Sequence, residues 1–536
     1  MEKDKFEKFK KILEEYNEIN NIELKQFLEI DVIGFTLNEK EFLICIHTQK
    51  FDFPIILTTC PKDEPHYLPF NKELGFRKIC LFDEFDFIKT VVSDEDKIRV
   101  TIEKLIELEK MTRSQKTKEY LKEFPIYWNR VAQKGEGNLE LYLNYESDYE
   151  WLNKYYYGDE KARTIRYMSD DIYTNDKDKR KNFSNIKALY LKVLNTSDIM
   201  PPINGIPWDS TNILNIICNH QISRISEKAY DEICNNSYSK KELILILNLD
   251  GFYIACCLKF KNAGTAKLIK KITEQLDEII PLTIRRCDFN YLSNQIGNDD
   301  LLKDKHILLI GVGSLGSYIS EELIKSGCKH ITIYDDDNYD AENICRHKYP
   351  FSDVGENKTT ISMFYLNKYH PQIKVDGKIK KFSSQESIDE YDLIIVTVGN
   401  SDKQIELNEF FSSSFKNKPV IYSWLEGDGK SSHAFCSFNN GTGCYKCLFV
   451  DENGNFVKNK LNISKPSELA YRKSYCGGTR VQYGTATLLA ATLITLKAVE
   501  EALLDGKISF VYNFTNGTIT RSSKCNSNGC DVCNDN

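Results

Sequence analysis

A chain of 536 residues is too long for a single hydrophobic core and points to about three domains. Its composition is globular, with 41% hydrophobic and 28% charged residues, and its net charge of −7 leaves no footprint for nucleic acid. No apolar run reaches the ~18 residues needed to span a bilayer, so no membrane partner is expected.

The opening run, MEKDKFEKFKKILEEYNEI, is charged throughout and lacks the apolar centre of a signal peptide. It reads as a surface helix over residues 1–20, with Phe6, Phe9, Ile12, Leu13 and Tyr16 on one face. A cytoplasmic protein is therefore expected. In that reducing compartment its 17 cysteines are core thiols, metal ligands or nucleophiles rather than disulfides.

From Ile22 to Leu57 short alternating runs predict an antiparallel meander. A loop marked by Pro and Gly follows, and helical spacing resumes from Ser93 to Met111. Residues 1–111 thus read as one α+β unit. Residues 112–170 are charged and tyrosine-rich. Residues 183–290 carry apolar strands, among them ELILILNLDGFYIACCLKF, which folds back at Asp250-Gly251. The stretch GTAKLIKKITEQLDEII reads as a helix. Residues 112–290 are expected to form an α+β middle domain, and 291–536 a third domain.

From Lys305 the texture changes to strand, glycine turn and helix in HILLIGVGSLGSYISEELIKSG, followed by further buried-type strands. This alternation predicts an α/β, doubly wound, Rossmann-like sheet. Gly311, Gly313 and Gly316 sit between the first strand and its helix, where backbone N–H groups and a helix N-terminus can cradle phosphates. Asp335 lies 24 residues after Gly311, at the end of the next strand, placed to accept from ribose hydroxyls. By itself this signal means a nucleotide, and a dinucleotide dehydrogenase remains open.

The run DDDNYDAENICRHKYPFSDVGENK adds Asp337, Asn343, Arg346, Val354, Gly355 and Lys358. This run resembles the signature of the ThiF/MoeB and ubiquitin-activating superfamily. The resemblance implies attack of a carboxylate on the α-phosphate of ATP, which expels pyrophosphate. Arg346 and Lys358 would then neutralise the outer phosphates, Asn343 would hold a phosphate oxygen, and Asp337 would carry Mg2+. Hydride transfer needs no such signature. Two positions depart from it. Asn294 stands where the family places an arginine that reaches a neighbouring subunit, with Arg285 or Arg286 as substitutes. Gly399 stands where it places a Mg-binding aspartate, with Asp402 nearby.

Cys444 and Cys447 form one CxxC knuckle, and Cys530 and Cys533 form another, with 82 residues between them. Two such pairs predict a closed, structural Zn2+ site tying the tail to the domain, with Cys525 as a spare ligand. The superfamily resemblance includes this pairing. Cys476 lies between the knuckles, in a glycine loop ahead of a helical run, with Arg472, Lys473 and Arg480 close in sequence. A thiol there gains thiolate character. The resemblance implies that Cys476 takes the acyl group from AMP.

In the N-terminal unit, EPHYLPFNKELGFRKICLFDEF places His66 fourteen residues before Cys80, with Asn71 between them. This unit resembles a ubiquitin-conjugating (UBC-like) domain, whose active site is marked by such a His and Ile-Cys-Leu cysteine. The order of UBC-like, middle and adenylation domains, with Asn343, Arg346 and His347 in the last, resembles the fused conjugating-plus-activating proteins of bacterial CBASS-type antiphage systems. The resemblance implies ATP-dependent activation of a protein C-terminus, a thioester on Cys476, transfer to Cys80, and an amide bond to a lysine of an acceptor protein. The implied partner is the C-terminal tail of a cyclic-nucleotide synthase (CD-NTase) or a ubiquitin-like protein, and a homodimer is expected. A sulfur-carrier adenylyltransferase and a non-catalytic ThiF-like scaffold are the competing expectations.

Overall fold

In the computed structural model, the described residues are 3–45, 53–82, 93–132, 139–143, 147–157, 164–169, 184–218, 224–297, 300–426, 429, 431–463, 471–473, 479–481, 483–504, 507–523 and 529–534. They gather into two compact units, one reaching Arg286 and the other running from Cys287 onward.

The first unit opens with helix α1 (Lys3–Leu13). Five antiparallel strands follow: β1 (Ile19–Phe27), β2 (Ile30–Leu37), β3 (Lys40–Cys45), β4 (Ile55–Thr58) and β5 (Arg77–Ile79), hydrogen-bonded in sequence order. The helix expected over 1–20 ends at Leu13, because Ile19 is drawn into β1 opposite Leu37. Helix α2 (Asp94–Lys110) starts at the N-cap Ser93, whose side chain accepts from the Asp96 N–H. Phe9, Ile12 and Leu13 of α1 and Ile98, Ile102 and Leu105 of α2 bury with Phe35, Phe42 and Ile44 of the sheet. Helices α3 (Arg113–Lys122) and α4 (Phe124–Val131) come next.

The same unit holds an eight-stranded mixed sheet. Its strands are β6 (Leu139–Tyr142), β7 (Tyr149–Tyr157), β8 (Thr164–Met168), β9 (Ser184–Val193), β11 (Glu242–Leu249), β12 (Phe252–Phe260), β14 (Leu276–Leu282) and β15 (Arg285–Arg286). The hairpin expected at Asp250-Gly251 is present, with Leu249 opposite Phe252. Helices α5 (Ser210–Ile217), α6 (Glu227–Asn235) and α7 (Leu268–Glu274) and the short pair β10 (Ser237–Tyr238) and β13 (Ala266–Lys267) complete this part. The helix expected across GTAKLIKKITEQLDEII is broken: α7 stops at Glu274 and the remainder becomes β14, paired with β12. Edge pairing overrides the local helical pattern there.

The second unit begins with α8 (Phe289–Gln295) and is built on β16 (His306–Ile310), β17 (His330–Tyr334), β18 (Lys374–Lys378), β19 (Leu393–Val396), β20 (Val420–Leu425), β21 (Ser431–Ser437), β24 (Phe510–Thr515) and β25 (Thr518–Ser522). The strand order is β18-β17-β16-β19-β20-β21-β24-β25; the first five are parallel and the rest antiparallel. Helices α9 (Ser314–Lys325) and α12 (Thr485–Leu504) bury Leu315, Ile319, Leu488 and Ile494 on one face of the sheet. Helix α11 (Ser401–Ser414) buries Leu407 and Phe411 on the other. Helix α10 (Lys358–Asn367) is N-capped by Asn357. This is the doubly wound sheet expected from the sequence. Its order reverses between β16 and β19, and a crevice at the carboxyl ends of such strands is the usual ligand position. The strands β22 (Tyr471–Lys473) and β23 (Thr479–Val481) pair as a small hairpin, and α13 (Asp531–Asn534) closes the described chain. No helix among the described residues is long and apolar enough to cross a membrane.

Candidate functional site

The glycine turn lies at the switch point. Gly311 has φ +92°, a conformation costly for a residue with a Cβ. A Cβ on Gly316 would stand 2.1 Å from the Gly311 carbonyl oxygen and 2.9 Å from Thr397 Oγ1, so only glycine lets α9 start this close to the strand. Gly313 is the N-cap of α9 and faces open space, leaving backbone exposed where an anion can approach. Thr397, at the end of β19, donates from Oγ1 to the Gly311 carbonyl at 2.6 Å. No local pattern marks it, since its partner lies 86 residues away.

Asp335 fastens this turn. Its Oδ2 accepts from the Val312 N–H at 2.8 Å and its Oδ1 from the Asp337 N–H at 2.9 Å. Burial raises its carboxyl above the ordinary range, and the two N–H donors and Lys358 oppose that shift. Lys358, the first residue of α10, donates from Nζ to Asp337 Oδ2 at 2.9 Å. Its own N–H and the Asn357 amide both donate to the Asp337 carbonyl, each at 3.0 Å. The predicted phosphate cation and the predicted Mg2+ ligand are thus paired with each other beside the glycine turn.

Asn343 and Arg346 lie on a 3-10 turn, Ala341–Arg346; Asn343 is buried and Arg346 half-buried. Among the described residues, Arg346 makes no ion pair. His347 is 6% exposed, and neither ring nitrogen has a partner among the described residues. Burial, then the charges of Lys358 and Arg346, push its imidazole down to about 3. Lys358 and Arg346 thus both act on His347, whose N–H donates to the Asn343 carbonyl at 3.0 Å. Asn294 is an exposed residue of α8, Gly399 faces open space before Asn400, and Asp402 is exposed in the first turn of α11.

Cys444, Cys447, Cys530 and Cys533 converge. The Sγ–Sγ distances are 3.8 Å for Cys444–Cys447, 3.8 Å for Cys444–Cys530 and 3.5 Å for Cys447–Cys533. A tetrahedral Zn–S bond of ~2.3 Å places sulfurs roughly 3.8 Å apart, so the donor set fits a four-thiolate ion. The Cys444 N–H also points at Cys447 Sγ, at 3.4 Å. Lys446 pins the second knuckle by donating to Asp531 Oδ2 at 2.9 Å. Cys525 and Cys476 lie outside the described residues; Cys476 falls in sequence between β22 and β23.

Cys80 is exposed, directly after β5, and its N–H donates to the His66 carbonyl at 2.8 Å. His66 has φ +66°. Asn71 caps its own turn, its Oδ1 accepting from the N–H groups of Glu73 and Leu74. His66 is held from the other side by Glu119 and Glu123. Those two carboxylates were invisible in the charged run after residue 112, because their partner lies more than fifty residues upstream.

Residues 291–526 match the ThiF family. The ATP-dependent ubiquitin transferase-like protein Cap2 of Escherichia coli (strain TW11681) is 25% identical over 225 residues, 40% of this chain and 37% of its own length. Its counterpart from Pseudomonas aeruginosa (strain BWHPSA011 / Pa011) is 26% identical over 178 residues, 32% of each chain. The adenylyltransferase and sulfurtransferase UBA4 of Yarrowia lipolytica (strain CLIB 122 / E 150) is 29% identical over 152 residues, 28% of this chain and 37% of its own. The chain thus spans only about a third of the length of each relative. The ThiF family match thus falls within the C-terminal unit.

Proposed function

We propose that this chain binds ATP at the Gly311–Gly316 turn and activates the C-terminus of a protein as an acyl-adenylate. The observation that carries this reading is the Lys358–Asp337 pair beside a glycine turn fastened by Asp335. The substrate carboxylate attacks the α-phosphorus, the new P–O bond forms, and pyrophosphate leaves. Lys358 and Arg346 neutralise the departing charge, and Asn343 holds an oxygen. Asp337, once the phosphates draw Lys358 away, would offer an oxygen ligand to Mg2+.

The Cys476 thiolate then attacks the acyl carbon and AMP leaves. Exchange moves the acyl group to Cys80, in a UBC-like domain spanning residues 1–111, and a lysine amine of an acceptor protein completes the amide. Residues 112–290 are the middle domain and 291–536 the adenylation domain. The partner chemistry is a flexible C-terminal tail, that of a CD-NTase or a ubiquitin-like protein, in the cytoplasm of a cell defending against phage. Zn2+ on Cys444, Cys447, Cys530 and Cys533 is structural, because four thiolates leave no open position. A homodimer is the proposed assembly.

Gly399 favours one second reading, a ThiF-like scaffold that holds nucleotide and tail without chemistry. Exchange of labelled pyrophosphate into ATP separates the two. Exchange should require a CD-NTase or ubiquitin-like protein with an intact C-terminus and vanish when its last residues are removed. No exchange with either partner overturns the enzyme reading.

A further inference from the structure

The exposed thiol of Cys80 is not isolated. Tyr67 and Ile79 form an antiparallel bridge, and the next pair outward, His66 and Cys80, is joined by the 2.8 Å bond from the Cys80 N–H to the His66 carbonyl. The two residues therefore stand opposite each other at the end of β5. Glu123, at the α3–α4 junction, grips His66 twice: Oε2 accepts from its backbone N–H at 3.0 Å and Oε1 from Nδ1 at 3.1 Å. Nε2 faces Glu119 Oε2 at the longer distance of 3.5 Å, and Glu119 also pairs with Lys122 at 2.6 Å. The His66 side chain is 32% exposed, against 17% for Glu123 and 19% for Glu119.

A histidine oriented by a carboxylate, on the residue paired through its backbone with a thiol-bearing position, has the parts of a base–nucleophile pair. Glu123 fixes the proton on Nδ1, which leaves Nε2 to exchange a proton with solvent or an incoming group. The geometry points to His66 as the general base for aminolysis of an acyl group carried on Cys80, with Glu123 as its orienting residue and Glu119 as the carboxylate that receives the acceptor ammonium. The inference rests on the proposal that Cys80 carries the acyl group. In the step, the amine nitrogen attacks the thioester carbonyl carbon and a C–N bond forms. The C–S bond breaks and its electron pair stays on Cys80 as thiolate. The acceptor ammonium first gives up one proton to solvent to become the attacking amine, and the proton left on nitrogen after attack passes to His66 Nε2.

The hydrogen bond to Glu123, then the charges of Glu123 and Glu119, outweigh burial and raise the His66 imidazole above its ordinary value. Lys122 on Glu119, Arg130 near Glu123, and Glu64, itself paired with Lys116, are the other charges around it. Discharge should accordingly rise with pH through a midpoint above 6.5 as His66 loses its proton.

The test uses the full chain and bypasses ATP. A fluorescent peptide thioester acylates cysteines by exchange, and Cys80→Ala gives the background. The loaded thioester is quantified, then chased with free L-lysine, so the rate is read per loaded thiol. His66→Asn suits the positive φ, since Asn tolerates that region. It should slow discharge by about a hundredfold or more and remove the pH dependence. Glu123→Gln keeps an acceptor for the His66 N–H and should shift the midpoint downward. Loaded Cys80 that discharges at the wild-type rate and with the wild-type pH profile in His66→Asn overturns the inference alone. Equal labelling of wild type and Cys80→Ala overturns it together with the thioester role of Cys80.

Discussion

Lys358→Met tests the adenylation chemistry most directly. The ammonium lies 2.9 Å from Asp337 Oδ2, on a side chain 10% exposed, while the carboxylate is 70% exposed. With one partner that open to water, the pair contributes at most ~1 kcal/mol to stability. Methionine keeps the apolar stem, so the melting temperature should move by no more than about 2–4 °C. Catalysis is a different matter. A cation ~4 Å from a developing phosphate charge is worth a few kcal/mol at an effective dielectric near 20. Removing one such preorganised group costs about 10²–10³-fold in rate. The variant should therefore keep its fold and lose partner-dependent pyrophosphate exchange by that factor, read as kcat/KM for ATP alongside a thermal melt. Exchange within about threefold of wild type would refute the assigned role of Lys358. Lost exchange with a melting temperature more than about 10 °C lower would show instead that the lysine is structural.

Other substitutions probe separate links. Gly316→Ala forces a methyl to 2.1 Å from the Gly311 carbonyl, a backbone clash no rotamer relieves. ATP should raise the melting temperature of the wild-type protein and not that of this variant, and an undiminished rise in the variant would contradict the turn's role. Cys447→Ser breaks the four-thiol set, so bound zinc should fall from one ion per chain to none by elemental analysis; retained zinc would place the ion elsewhere. His347 is held near 3, well below its ordinary 6.5, so its neutral form stabilises the fold fully above about 6.5 and that contribution is lost as pH falls toward 3. His347→Gln should flatten that part of the acid limb in urea titrations, and an unchanged slope between pH 6 and 4 would refute the assignment. The opposite sign holds for His66. Its raised value gives stability that is complete below 6.5 and fades as pH rises through its folded value, and Glu123→Gln should remove that fading.

What could be read from the sequence divides along the distance over which each feature is determined. Gly311, Gly313 and Gly316 belong to one strand–helix turn, and each CxxC knuckle to four consecutive residues, so the turn and the knuckles are legible in local spacing. Asp335 was placed at a strand end, yet its bond to the Val312 N–H makes it a structural member of the turn as well as a candidate ribose acceptor. Thr397 and the two glutamates on His66 are fixed by partners on other elements, and no local pattern announces such a partner. The broken helix after Leu268 has the same cause in reverse: the pairing of Ile279 with Leu258 outweighs a helical periodicity that is real within the segment. The Lys358–Asp337 pair adds something that spacing could not supply. The sequence reads the lysine as a phosphate cation and the aspartate as a metal ligand, two separate roles, but the fold joins them into one ion pair, which ATP bound as proposed would open. ATP and Mg2+ should consequently bind with positive coupling, since each ligand removes the competitor that holds the other's residue.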